Sequence, residues 1–144
     1  MKIVDANVLI YSVDETSAHH LAARTWMDDA LSNAEPIMLP WLCLLAFVRL
    51  TTHRGLNDNP LSVDGAFDRV DAWLAAPPVI TTVDTASASQ QTRRLLVETG
   101  GSASLVNDAW LAALAYTNDA DLVSFDADFA RFAGLRWVSP PPAP

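Results

Sequence analysis

Two patterns of apolar residues alternate along the chain, short continuous runs and longer stretches with helical spacing. Residues 63–74 are typical of the second pattern, because Val63, Phe67 and Val70 recur at the three- and four-residue intervals of one helix face. The short runs fit buried strands. Strands are predicted at about 2–5, 37–39, 79–83, 121–125 and 135–138, and helices at about 17–31, 40–52, 62–74, 86–99 and 104–116. This alternation predicts an α/β fold in which helices cover both faces of a mainly parallel sheet.

Several predicted boundaries carry residues that favour helix ends. Ser17 and Ser104 can each cap a helix, and Pro40 suits a first helical turn. No internal repeat or long linker divides the 144 residues. We therefore expect one domain over 1–139, followed by a proline-rich tail over 140–144 that frays.

The composition excludes several broad classes of protein. Hydrophobic residues make up 51% of the chain, which is too many for a disordered protein. No apolar run approaches the roughly 20 residues needed to span a bilayer, and no segment near the N-terminus resembles a signal peptide, so we expect no membrane association. The single cysteine, Cys43, fits a reducing compartment such as the cytoplasm and is expected to be a small buried hydrophobe.

The net charge of −8, from 17 acidic and 9 basic residues, argues against a broad nucleic-acid-binding surface. A local basic strip is still compatible with this charge, and so is a basic protein partner. Metal ions would also neutralise any acids that cluster in the fold.

Three acidic residues are predicted to meet near one edge of the sheet. Asp5 ends the first strand, and Asp126 follows the strand at 121–125. Ligands of parallel α/β sheets bind outside the carboxyl ends of the strands. Asp108 lies near the start of the helix predicted at 104–116. Because carboxylates repel one another, their convergence favours a bound cation, and an all-oxygen ligand set favours Mg²⁺ or Mn²⁺.

Taken singly, each of these acids has an ordinary structural explanation. Asp108 can stabilise a helix dipole, and Asp5 can close a strand in an Asx turn. Asp126 and the nearby Asp128 can form a common loop. The prediction of a metal site therefore depends on convergence.

Three motifs resemble those of a PIN-domain ribonuclease, and more narrowly of the VapC toxins of prokaryotic toxin–antitoxin pairs. They are "IVDANVLIY" near the N-terminus, "VNDAWLAALA" after two glycines and "LVSFDADFARF" near the end. "HHLAARTWMDDAL", "WLCLLAFVRLTT" and "GLRWVSP" further resemble a mycobacterial subgroup. The resemblance implies a three-layer α/β/α fold and a cytoplasmic endoribonuclease that depends on Mg²⁺ or Mn²⁺. It also implies a homodimer that a VapB-type antitoxin inhibits, with a larger complex of the two proteins as a further possibility.

The resemblance carries over to particular residues. It matches Asp5, Asp108 and Asp126 to metal-binding acids. Asn7 matches a position that orients the first acid, and Ser124 matches a Ser or Thr next to the phosphate site. The acid at Asp128 matches a less constant position.

The chain departs from the family at one carboxylate. Phe47 aligns with a Glu that PIN domains usually carry, which leaves open whether the site holds one metal ion or two. Ser104 and Trp110 stand where Asn and His are common in the subgroup, and they could alter the mouth of the site.

Basic residues could form a local rim for RNA. Arg49 either pairs with a carboxylate or contacts the scissile phosphate. The other candidates for the rim are His53, Arg54, Arg93, Arg94 and Arg131. The histidines His19, His20 and His53 are poor candidates for a general base, and surface or capping roles are expected for them.

Two alternatives belong to other functional classes. Because one carboxylate is missing, the chain could be a catalytically weak or inactive PIN-like module that binds a partner. A phosphotransferase of the haloacid-dehalogenase kind also begins with an Asp after its first strand, but that chemistry needs a second Asp where this chain has Asn7.

Overall fold

Five short strands form a single parallel sheet in the computed structural model, which describes residues 1–82 and 86–144. The strands are β1 (Lys2–Val4), β2 (Ile37–Met38), β3 (Val79–Ile80), β4 (Asp121–Val123) and β5 (Trp137–Val138). Their order across the sheet is β3-β2-β1-β4-β5. The central strand is β1, in which Ile3 is paired with Met38 on one side and Leu122 on the other.

Six α-helices connect the strands in the described residues. They are α1 (Ala6–Val13), α2 (His20–Ser32), α3 (Trp41–Thr51), α4 (Val63–Leu74), α5 (Ala86–Glu98) and α6 (Val106–Thr117). The chain moves outward from β1 to β3, and right-handed crossovers place α1 to α4 on one face of the sheet. It then returns from β3 to β4, which places α5 and α6 on the other face. The contacts agree, since α1 packs on α2 and α3 while α5 packs on α6. The predicted three-layer α/β/α fold is confirmed.

The main error of the sequence prediction is the missing helix α1. Its apolar run, from Val8 to Ile10, resembles a strand continuing after β1. In the structure, Asp5 instead caps a helix, because its side chain accepts a hydrogen bond from the backbone N–H of Ala6 and its carbonyl accepts one from Val8. The first strand therefore ends at Val4, one residue earlier than predicted.

Three predicted helix boundaries also differ. Pro40 is the N-cap of α3 rather than part of its first turn. The residue at the N-cap of α2 is His19, and the Ser17 hydroxyl accepts a hydrogen bond from its backbone N–H. Ser104 lies inside a short 3₁₀ turn, Ala103–Leu105, that precedes α6. The strand predicted at 79–83 ends at Ile80, and its last position lies outside the described residues.

The core holds the two central strands rigidly. Ile3, Val4, Leu122 and Val123 are completely buried between the helical layers. Small residues let α6 approach the sheet closely, and four of its alanines are buried: Ala109, Ala112, Ala113 and Ala115. The start of α1 and the loop after β4 therefore both leave from buried strands.

The proline-rich tail lies against the body of the domain. Pro140 is buried and Ala143 is half-buried, and the tail shares a cavity with the start of α2. In the described part of the chain, no helix combines the length and apolar character that crossing a membrane requires.

Candidate active site

The polar side chains predicted for the site gather where the direction of the strand order reverses. The chain moves from β1 towards β3 and later returns to β4 on the other side of β1, so a crevice opens above β1 and β4. Asp5 follows β1 directly, and its backbone N–H donates to the carbonyl of Val123 at 3.0 Å. Asp126 lies three residues beyond the end of β4. The parallel arrangement of the two strands therefore brings these acids to one edge.

A buried hydroxyl joins the two acids. Ser124 is completely buried, and its Oγ donates to Asp5 Oδ2 at 2.7 Å. The same oxygen accepts hydrogen bonds from Asn7 Nδ2 at 2.9 Å and from the backbone N–H of Asp126 at 3.0 Å. Asn7 Oδ1 in turn accepts from the backbone N–H of Phe125 at 3.2 Å. Ser124 and Asn7 thus fix the loop after β4 to the first turn of α1.

The carboxylate of Asp5 is held in a partly desolvated position. Burial raises its pKa above the ordinary value, and the hydrogen bonds from Ser124 and from the backbone N–H of Ala6 offset part of that rise. The negative charge of Asp126 raises the pKa further. The fold therefore places an acid where its charged form needs a stabilising partner.

Asp108 faces the same space from the first turn of α6. It lines a cavity of about 310 Å³ together with Asp5. Burial raises its pKa to about 6, and the charges of Asp5 and Asp126 contribute to the rise, whereas Arg131 opposes it. Asp108 therefore faces the negative charge of the other two acids.

The donor set favours a loosely held hard cation. Within residues 1–82 and 86–144, no group of three or more His, Cys, Asp or Glu side chains is arranged to hold a metal ion by itself. Mg²⁺ commonly binds through one or two carboxylates and completes its shell with water and substrate phosphates. Asp5 and Asp108, with Asp126 nearby, fit a site of this kind, whereas a closed four-ligand zinc site would need a tighter group.

The position of the missing Glu lies in the core. Phe47 is completely buried, and its ring packs edge-on against Trp73 with 4.8 Å between centroids. Phe47 is not part of the cavity lining. The α3 wall of the cavity is instead mostly apolar and includes Cys43, a buried thiol whose pKa is raised by burial and by the charge of Asp5.

Arg49 is the basic residue that lines this cavity. Within the described residues its guanidinium forms no ion pair, which leaves it available to a phosphate. Arg131 interacts with Asp108 electrostatically but pairs with the exposed Asp128 at 3.2 Å. Asp128 also donates its backbone N–H to Asp126 Oδ1 at 2.8 Å, so it supports the loop from outside the cavity.

The other candidates for a basic rim do not line this cavity. Arg94 pairs with Glu98 one helical turn later, and the His53 ring accepts a hydrogen bond from the backbone N–H of Gly55. Arg54 and Arg93 are exposed and do not line the cavity. Neither Ser104 nor Trp110 lines it either.

None of the three histidines lines the cavity that contains Asp5 and Asp108. The ring of His20 is hydrogen-bonded through Nδ1 to the carbonyl of Tyr11 at 2.8 Å. The ring of His19 stacks near Phe125. These positions agree with the expectation that histidine is not the general base.

Sequence reasoning missed most of the cavity wall. The missed residues are Ala6, Leu42, Cys43, Leu45, Ala46, Asn107 and Leu111. Leu42 and Ala46 precede Arg49 by seven and three positions, so they share its helix face. That spacing is the signal that could have identified the wall.

Comparison with known proteins gives a consistent result. A model of the PIN domain matches residues 2–135. Ribonuclease VapC37 of Mycobacterium tuberculosis is 49% identical over 141 residues, which cover 98% of this chain and 98% of that protein. Ribonuclease VapC31 of the same species is 36% identical over 141 residues, which cover 98% of this chain and 99% of that protein.

Solved structures with the same architecture include VapC20 of Mycobacterium tuberculosis, described as a toxin that cleaves the sarcin–ricin loop. Its TM-score is 0.70 at 19% identity, and the match covers 94% of this chain and 99% of that one. A VapBC2 complex from Rickettsia felis, bound to a DNA fragment from its promoter, gives a TM-score of 0.66 at 16% identity and covers 96% and 97% of the two chains. At such low identities these two likenesses show a shared fold.

Proposed function

The chain belongs to the PIN-domain family and, within it, to the VapC ribonucleases, and we propose on this basis that it is a metal-dependent endoribonuclease that acts as a toxin. The structural observation that carries the proposal is that Asp5 and Asp108 line the same cavity. The pKa of each carboxyl group is raised by burial and by neighbouring negative charge. An arrangement that is unfavourable for the isolated protein is expected where a cation binds.

Asp5 and Asp108 would hold Mg²⁺ or Mn²⁺, with Asp126 as the third acid. Such an ion, when bound, lowers the pKa of a coordinated water and offsets negative charge on phosphoryl oxygens. The buried Ser124 hydroxyl would keep Asp5 oriented, and Asn7 would act through that hydroxyl.

The remaining residues of the cavity position the RNA. Arg49 lines the cavity, forms no ion pair with the part of the chain that the structure describes, and is the candidate to bind the scissile phosphate. Leu42, Ala46 and Leu111 form an apolar wall of the same cavity. Hydrolysis by water needs no 2′-hydroxyl attack, so the products should carry a 5′-phosphate and a 3′-hydroxyl.

A VapB-type antitoxin is the expected partner, in a complex with a homodimer of this chain or in a larger assembly, in a prokaryotic cytoplasm. The net charge of −8 favours a basic partner segment. Beside the cavity, Trp41 and Leu45 are 45% and 54% exposed, which provides apolar surface for such a segment. Structures of related assemblies support this proposal, including a toxin–antitoxin complex from Klebsiella pneumoniae.

The test is cleavage of total RNA by purified protein with added Mg²⁺ or with EDTA. Asp5→Asn and Asp108→Asn should each lower the rate by more than about a hundredfold, which exceeds the effect usual for an outer-shell partner of a metal. Asp68→Asn is the matched control, because Asp68 is exposed on α4. Full activity of the Asp108→Asn variant, or of the wild-type protein in EDTA, would refute the proposal. An inactive wild-type protein that still binds antitoxin would support the alternative of a partner-binding module.

A further inference from the structure

Three aromatic side chains form a cluster that the proposed catalysis does not use. They are Tyr11 of α1, His19 at the start of α2 and Phe125 after β4, and we call them the aromatic cluster. The rings of His19 and Phe125 lie 4.5 Å apart between centroids and are tilted by 31°. Tyr11 lies 5.3 Å from His19 and 5.5 Å from Phe125. Residues that are distant in the sequence thus build one aromatic surface.

The aromatic cluster is fixed to the candidate active site. Phe125 stands between Ser124 and Asp126, so its Cα lies only about 3.8 Å from that of each neighbour. Its backbone N–H is held by the Asn7 side chain. The network that orients Asp5 therefore also positions this ring.

The aromatic cluster is open to solvent on one side. His19 is exposed, whereas Tyr11 and Phe125 are half-buried. A cavity of about 590 Å³ lies against the rings of His19 and Phe125, in the range typical of small-molecule sites. It is lined by His19, Leu21, Phe125 and the tail residues Pro140, Pro141 and Pro142. Aromatic rings and apolar side chains thus line a recess that solvent can reach.

We propose that the aromatic cluster and the proline-rich tail bind a nucleobase of the RNA substrate next to the cleaved phosphodiester, and so help to select the cleavage site. This inference depends on the proposed ribonuclease function. Unpaired RNA bases are commonly recognised by stacking on aromatic side chains, including His. A chain with a net charge of −8 gains less than usual from phosphate contacts, so stacking would supply affinity that charge does not.

The experiment uses a short synthetic RNA that contains a cleavage site mapped by sequencing of RNA 5′ ends. His19→Ala and Phe125→Leu should each lower kcat/KM by about tenfold, since stacking of one base has an effect of that order. His19→Phe should retain most of the activity because it keeps an aromatic face. Phe67→Leu is the matched control, because Phe67 is exposed on α4.

A double-mutant cycle then separates stacking from a general structural effect. The RNA is made with a single abasic position at each nucleotide flanking the cleaved bond. One abasic position should reduce cleavage by the wild-type protein about as much as His19→Ala does, and it should cause no further loss in that variant. Losses that multiply at every position, or variants that cleave all RNAs like the wild type, would overturn the stacking proposal alone. Failure of the wild-type protein to cleave any RNA would instead refute the ribonuclease function, and the stacking proposal with it.

Discussion

Replacing Asp108 with Asn should make the metal-free protein more stable at neutral and alkaline pH. The ionised carboxylate is partly desolvated and faces Asp5 and Asp126, so its charge opposes folding when no cation is bound. The amide keeps nearly the same shape and removes that charge. A gain in stability when a functional charge is removed reflects the trade-off between stability and activity at functional sites.

The size of the effect follows from the pKa of Asp108, which is about 6 in the folded chain against 3.8 for the ordinary group. A difference of about two pKa units corresponds to about 3 kcal/mol. Because Asp108 is only half-buried, screening by solvent reduces the expected gain to about 1–2 kcal/mol.

The sign of the pH dependence is fixed by the direction of the shift. The folded state binds the Asp108 proton more tightly than the unfolded state, so the free energy of unfolding falls as the pH rises from about 4 to about 6. Above about pH 6 the ionised carboxylate lowers the free energy of unfolding to its full extent, and below about pH 4 this destabilisation is absent. The advantage of Asp108→Asn over the wild type should therefore be full at pH 8 and shrink as the pH approaches 4.

The assay is urea unfolding followed by tryptophan fluorescence, in EDTA, at several pH values. The exposed control Asp68→Asn should stay within about 0.5 kcal/mol of the wild type. Added Mg²⁺ should stabilise the wild type more than Asp108→Asn, because binding to the folded state raises its stability. A variant that is less stable than the wild type in EDTA at pH 8, or whose advantage does not change with pH, would refute the reasoning.

Three further predictions concern other parts of the site. Ser124→Ala should lower the free energy of unfolding by about 1–3 kcal/mol in urea titrations, because hydrogen-bond donors of Asn7 and Asp126 lose their buried acceptor. Unchanged stability would contradict this prediction. Phe47→Glu restores the acid that is usual in the family, but it should destabilise the protein by several kcal/mol in the same titration, because the side chain is buried against Trp73. It should add no metal ligand. A folded variant that binds more Mn²⁺ than the wild type would show instead that the new carboxylate reaches the site. Arg49→Ala should reduce the salt dependence of RNA binding, measured by fluorescence anisotropy, without changing stability. The slope of log K against log[salt] should become shallower by about 1. Arg94→Ala is the control, because Arg94 is a surface residue paired with Glu98.

Much of the site follows from the topology that the sequence predicts. The sequence places Asp5 and Asp126 at one edge because both follow predicted parallel strands. The structure brings them together through Ser124, since β1 and β4 are direct neighbours. Hydrophobic periodicity was also sufficient to find α4, whose buried face includes Val70.

Other features depend on contacts that periodicity does not contain. The apolar run of α1 is equally compatible with a strand and a helix, and the cap formed by Asp5 decides between them. The aromatic cluster joins α1, α2 and the loop after β4, and no pattern within one segment predicts such a meeting. The burial of Phe47 likewise follows from its packing on Trp73 of another helix.

The central claim is that these carboxylates hold the ion required for RNA cleavage, and calorimetric titration of Mn²⁺ tests it most directly. The wild-type protein should bind Mn²⁺, and Asp5→Asn should abolish that binding while Asp68→Asn leaves it intact. Equal binding of Mn²⁺ by the wild type and a folded Asp5→Asn variant would contradict the account.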